Sequence, residues 1–150
     1  MANTYSNLLY HIVFSTKQRL PLILPEWQTE LYQYIGGIIR NERGSLIEIG
    51  GTKDHVHLIV KLKTDRILSD LLRHIKGGSS KWLNEGLVNQ AKFAWQDGYG
   101  AFTVSESQLG KLVEYVRNQE AHHRIKTFQE EYLDFLKLNA VEYVEKYLWD

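Results

Sequence analysis

The sequence has no cysteine, and it has only two prolines and one methionine among its 150 residues. Without cysteine there is no disulfide, no thiolate metal site and no thiol nucleophile. Any ion must then be held by nitrogen and oxygen ligands, a set that suits hard or borderline divalent cations. No apolar run reaches the roughly 20 residues of a membrane span, and no basic segment followed by an apolar one opens the chain. The expectation is a cytoplasmic protein with no membrane partner. Nor is there an excess of charge of either sign, since 18 Lys and Arg balance 18 Asp and Glu. With 43% hydrophobic and 24% charged residues, the composition excludes collagen-like, low-complexity and disordered chains. The length suits a single domain over residues 1–150.

The zero balance hides a divided chain. Between Lys61 and Lys81 six basic residues (Lys61, Lys63, Arg66, Arg73, Lys76, Lys81) stand against Asp65 and Asp70, a net of +4. From Phe128 to Asp150 six acidic residues (Glu130, Glu131, Asp134, Glu142, Glu145, Asp150) stand against Lys137 and Lys146, a net of −4. The central segment fits either a phosphate-facing surface or an ordinary solvated helix face.

Periodicity orders the elements. SNLLYHIVFS from Ser6 is a continuous aromatic and branched run, which predicts a central strand. Pro25 suits the first turn of a helix carrying Trp27, Leu31, Tyr34, Ile35 and Ile38 and ending near Arg43 and Gly44. SLIEIGG and DHVHLIVKL form a hairpin around Gly50-Gly51-Thr52-Lys53. Thr64 or Asp65 then caps a helix with Leu68, Leu71, Leu72 and Ile75, running on past Gly77-Gly78, which could interrupt it. GAFTVS reads as a fourth strand, and Ser105-Glu106-Ser107-Gln108 as a capping box opening a helix to about His123, followed by a further helix or tail. Strand, helix, strand, strand, helix, strand is the split βαβ, ferredoxin-like order. It predicts an α+β fold with an antiparallel sheet and helices on one face.

Two short patterns carry chemistry. In Asp54-His55-Val56-His57-Leu58, strand alternation sends His55 and His57 to one face and Val56, Leu58 and Val60 to the other, so two imidazoles can share one metal on a rigid mount. In the helix after Ser105 the apolar stripe is Leu109, Leu112, Val113 and Val116, which leaves Tyr115, Gln119 and His122 on a flank. At i and i+4, Tyr115 and Gln119 set a nucleophilic oxygen beside a carbonyl ligand. Taken alone, each pattern is equally a polar pair on a half-exposed element. His123 lies nearer the stripe and reads as structural, as do His11 and His74.

TKDHVHLIV, LLRHIKGGSSKWLN, FAWQDGYGAFTVS and LVEYVRNQEAHH, in that order and spacing, resemble the single-tyrosine transposases of the histidine-hydrophobic-histidine nuclease superfamily. These are the insertion-sequence enzymes that move DNA as a single strand, together with their REP-associated relatives, some of them domesticated. The resemblance spans nearly the whole chain. It implies that His55, His57 and Gln119 hold a divalent ion, Mg2+ or Mn2+, and that Tyr115 is the nucleophile. The product it implies is a 5′-phosphotyrosine with a free 3′-hydroxyl, which permits strand transfer without ATP. It further implies a homodimer acting on single-stranded, hairpin-containing DNA. Arg73, Lys76 and Lys81 then become candidate DNA-backbone contacts, with Gly77–Ser80 allowing close phosphate approach. Trp95, Tyr99 and Phe102 fit either base stacking or the core. The competing class is a non-catalytic ferredoxin-like module for single-stranded nucleic acid, which needs no complete set of His55, His57, Tyr115 and Gln119.

Overall fold

The computed structural model describes residues 3–87 and 92–150. Four strands form one antiparallel sheet: β1 (Leu8–Ser15), β2 (Ser45–Gly51), β3 (His55–Leu62) and β4 (Gly100–Thr103), in the order β2-β3-β1-β4. This is the order that a split βαβ unit produces. β1 pairs with β3 so that Ile12 opposes Leu58 and Val13 opposes His57.

Alternation along β1 and β3 gives the sheet two different faces. Ile12, Phe14, Val56, Leu58 and Val60 point to one side and meet α1 (Pro25–Asn41) and α2 (Leu68–Trp82). α1 contributes Trp27, Leu31, Ile35 and Ile39, and α2 contributes Leu71, Leu72 and Ile75, each set at helical spacing. Gly77 and Gly78 do not interrupt α2. A side chain at Gly78 would stand 3.0 Å from Ile38, so the glycine lets the two crossover helices approach. Trp95 and Phe102 are buried, and Trp95 donates to the Ser79 hydroxyl at 2.9 Å, so both belong to the interior.

The opposite face is covered as well, which the strand–helix order alone does not require. After β4 the chain runs through α3 (Leu109–Arg117), α4 (Gln119–His122) and α5 (Phe128–Leu138). Phe128, Tyr132 and Leu136 of α5 pack on Val13 and Phe102. This second layer buries the face that carries the histidines.

The helix-start signals differ from the sequence expectation. α2 begins at Leu68 with no side-chain cap, and Asp65 pairs with Arg43 at 2.7 Å instead. The Ser105 box does not form, because Ser105 precedes a short 3-10 turn over Glu106–Gln108 in which its carbonyl accepts from Gln108. The capping box that does form is Thr127 with Glu130, which starts α5. The helix expected to run to His123 breaks at Asn118, whose backbone (φ −101°, ψ 30°) leaves the helical region and separates α3 from α4.

Candidate metal and tyrosine site

β3 presents His55 and His57 from one face, and both are fully buried. Each imidazole is held by its Nδ1. That of His55 lies 2.7 Å from Asp54 Oδ1 and 3.1 Å from the Thr52 hydroxyl. Burial would raise the Asp54 carboxyl, but the hydrogen bonds from His55 and Thr52, with the field of His55 and His123, together outweigh it and hold the group below its ordinary value. As a carboxylate Asp54 only accepts, so His55 Nδ1 donates to it and the Nε2 edge is turned towards the site. His57 Nδ1 lies 2.8 Å from His11 Nε2. Burial pushes His57 down to about 4, against partial support from Glu131, and pushes His11 down to about 3. Both are therefore neutral at pH 7, the state in which imidazole binds metal.

The break at Asn118 turns Gln119 into this space. Its amide nitrogen donates to the Tyr115 carbonyl at 3.3 Å, which fixes the amide. Its Oε1 then sits 3.1 Å from His55 Nε2 and 3.0 Å from His123 Nε2. Tyr115 stands over His57 of its own chain, with ring centroids 5.8 Å apart. Its hydroxyl donates to Glu131 and lies 3.0 Å from His122 Nε2. Burial raises the phenol above its ordinary value and the Glu131 carboxylate raises it further, so the hydroxyl is protonated at rest. Tyr115 also lines a cavity of about 500 Å3, together with Phe102, Ser105, Lys111, Leu112 and Phe135.

Three members of this cluster lie outside the set read from sequence. Glu131, on α5, is buried, and its Oε1 accepts from His57 Nε2 at 2.7 Å. Burial alone would raise its carboxyl, yet hydrogen bonds from His123, His57 and Tyr115 hold it below the carboxylate range. His123 stands beside it, at 3.2 Å from Oε2, and His11 braces His57. One signal did point to Glu131: it interrupts the stripe Phe128, Tyr132 and Phe135, where an apolar residue is expected. Ligand atoms of His55, His57, His123 and Glu131 all lie within 4.8 Å of one another. The donor set fits a divalent cation, because both Nε2 atoms, an amide oxygen and a carboxylate converge while the Nδ1 atoms are held from behind.

The basic residues of α2 lie on the far side of the sheet from this cluster. Arg73 and Lys81 are exposed, and Arg73 lies 3.3 Å from Asp70. Lys76 donates to the Asp97 and Gly98 carbonyls at 3.0 and 2.7 Å, and burial lowers it to about 8, so it ties the β4 approach to α2. Gly77–Ser80 lie inside α2, where their amides bond within the helix.

The chain is similar to known proteins in sequence and in fold. Residues 4–119 match the model of the IS200-like transposase family. The transposase of insertion sequence IS200 from Salmonella typhimurium is 26% identical over 125 residues, covering 79% of this chain and 81% of that protein. The ISDra2 transposase TnpA of Deinococcus radiodurans is 24% identical over 119 residues, covering 75% and 84%. In fold, the chain is similar to a solved transposase structure from Deinococcus radiodurans, with TM-score 0.65, 22% identity and coverage of 79% of this chain and 95% of the other. It is also similar to a REP-associated tyrosine transposase bound to a REP hairpin, with TM-score 0.59, 16% identity and coverage of 77% and 68%. Among the described residues no helix is long and apolar enough to cross a membrane. With more than half of its length matched, from before the first strand to Gln119, the chain belongs to the IS200-like transposase family.

Proposed function

We propose that this transposase nicks and rejoins single-stranded DNA through a covalent bond to Tyr115. His55, His57 and Gln119 hold the divalent ion in this reading, within one catalytic domain over residues 1–150. The observation that supports it most is that the Nε2 atoms of His55 and His57, Gln119 Oε1 and the Tyr115 hydroxyl meet within a single chain. Mg2+ or Mn2+ bound there supplies Lewis-acid polarisation of the scissile phosphate.

The chain's own groups do the rest. Tyr115 Oη attacks phosphorus, its proton passes to the acceptor it already faces, Glu131, and the bond to the 3′ oxygen breaks. The leaving 3′ oxygen takes a proton from solvent water and Glu131 gives the phenol proton back to solvent, so the products are a 5′-phosphotyrosine and a free 3′-hydroxyl. Attack by another 3′-hydroxyl reverses the step and joins a second strand, so no external energy source is needed. The substrate we assign is single-stranded DNA carrying a hairpin, in keeping with the hairpin bound by the REP-associated relative. Exposed Arg73 and Lys81 would follow its backbone, with Lys76 bracing the loop beside them. Our reading retains a cytoplasmic homodimer, although Tyr115 meets the histidines of its own chain and needs no partner's site.

Tyr115→Phe tests the proposal. Wild type with Mn2+ and a labelled hairpin oligonucleotide should yield a covalent adduct that survives a denaturing gel. The variant loses one oxygen and almost no packing area, so it should fold normally and yield none. A non-catalytic binding module would give no adduct with either protein.

A further inference from the structure

The family match ends at residue 119, yet the carboxylate that faces the Nε2 atoms of both histidines comes from Glu131, beyond that segment. Resting on the metal reading above, we infer that Glu131 is itself a ligand of the divalent ion, so that α5 completes a coordination sphere begun by β3 and Gln119.

Four observations carry this. The first is cost: the Glu131 side chain is 1% exposed, and among the described residues all its ion-pair partners are histidines. Removing a carboxylate from water is costly, and what offsets it here is hydrogen bonds from His57, His123 and the Tyr115 hydroxyl, with no lysine or arginine, which leaves the fixed positive charge for a divalent cation to supply. The second is spacing. Glu131 Oε1 lies 2.7 Å from His57 Nε2 and 3.8 Å from His55 Nε2, and Gln119 Oε1 lies 3.1 Å from His55 Nε2. Neighbouring ligands of an octahedral ion at about 2.1 Å stand roughly 3.0 Å apart, so these atoms are at shared-shell spacing.

The third is the mount. Phe128, Tyr132 and Leu136 fasten α5 to Val13 and Phe102, and the Thr127–Glu130 box locks its first turn, so Glu131 enters from a fixed helix. The fourth is its second oxygen, which accepts from the Tyr115 hydroxyl. One carboxylate thereby spans the nucleophile and the metal position. His123 is a positioning residue here, because its Nε2 faces Gln119 Oε1 at 3.0 Å and Glu131 Oε2 at 3.2 Å and donates to that pair.

The test is Mn2+ binding by the full chain without DNA, read from the free-ion EPR signal and from the Mn2+-induced rise in melting temperature. Glu131→Gln keeps the shape and removes the charge, and should weaken Mn2+ binding at least about tenfold, with a smaller melting shift. Glu131→Ala should weaken it further, and His57→Ala should all but abolish it. If His57→Ala loses Mn2+ while Glu131→Gln binds as tightly as wild type or more tightly, Glu131 is only a resident counter-ion and the inference falls alone. If wild type and His57→Ala respond alike, the metal reading falls and takes this inference with it.

Discussion

Gly50 faces His57 across the β2–β3 ladder, and α3 rests directly upon it. A Cβ at Gly50 would stand 2.0 Å from the Val116 carbonyl oxygen and 2.9 Å from its carbon. That oxygen is backbone, so no rotamer relieves the overlap. To reach ordinary contact at 3.4 Å or more, α3 must retreat from the sheet by roughly 1.4 Å or β2 must bow, a strain of the kind that costs about 1–3 kcal/mol. For a chain of this size Gly50→Ala should lower the melting temperature by roughly 4–8 °C at the middle of that range. The second consequence is kinetic. Val116 adjoins Tyr115, so the retreat carries the nucleophile off its position over His57, and a misplacement near 1 Å costs on the order of 100-fold in rate. The assays are thermal denaturation and the initial rate of covalent adduct formation with Mn2+. Gly77→Ala is the control: its Cβ would meet nothing within 4 Å in the interior of α2, so it should stabilise by about 0.5–1 kcal/mol. A Gly50→Ala protein that melts within about 1 °C of wild type and reacts at its rate would refute the packing argument.

Acid should weaken the metal-free fold. His57, facing His11 from β1, His55 from β3, Tyr115 from α3 and Glu131 from α5, and held near His123, titrates at about 4 against 6.5 for the ordinary group, and His11 at about 3. Folded values below unfolded ones mean that the unfolded chain binds more protons between pH 6.5 and pH 4, so stability falls as pH drops through that window. His123, held above its ordinary value, contributes in the opposite sense, but it is less buried. A lower urea midpoint at pH 5 than at pH 7 is expected, and equal midpoints would remove the buried-neutral assignment. On the basic helix, Arg73→Ala and Lys81→Ala should weaken hairpin binding and flatten its salt dependence with little change in stability. Lys76→Ala should instead destabilise by about 1 kcal/mol through loss of two carbonyl contacts, and urea denaturation alongside binding at two salt concentrations separates these effects.

Much of the architecture was legible because its causes are local. The run Leu8–Ser15, the helical spacing from Trp27 to Ile38 and the β2–β3 hairpin each follow from residues a few positions apart, and they sufficed for the split βαβ order, although Gly50 and Gly51 belong to β2 and the turn is Thr52–Asp54. The placement of His55 and His57 on the face opposite Val56 and Leu58 is likewise a property of any strand, whereas Gln119 meets Tyr115 and His55 across the break at Asn118, which helical spacing did not reveal. Capping was less legible, since Ser105-Glu106-Ser107-Gln108 and Thr127-Phe128-Gln129-Glu130 both match the pattern and only the second closes. A hydroxyl caps a helix only where the following backbone turns at once, and packing decides that.

What the chain order left open was the second face of the sheet. Glu131 is 74 residues from His57, and His11 is 46 residues from it, so no periodicity relates them. Counted by charge, Glu131 was one more acid in a net-negative tail, and a tally of charges cannot distinguish a solvated carboxylate from a buried one. Only the docking of Phe128, Tyr132 and Leu136 on Val13 and Phe102 brings α5 over the histidines, and with it the carboxylate that joins His57 to Tyr115. Sequence determined which side chains each element offers and to which face, because backbone geometry repeats every two or every 3.6 residues. Tertiary structure alone decided which of them meet, because burial of apolar area is non-directional and becomes specific only once two surfaces are packed together.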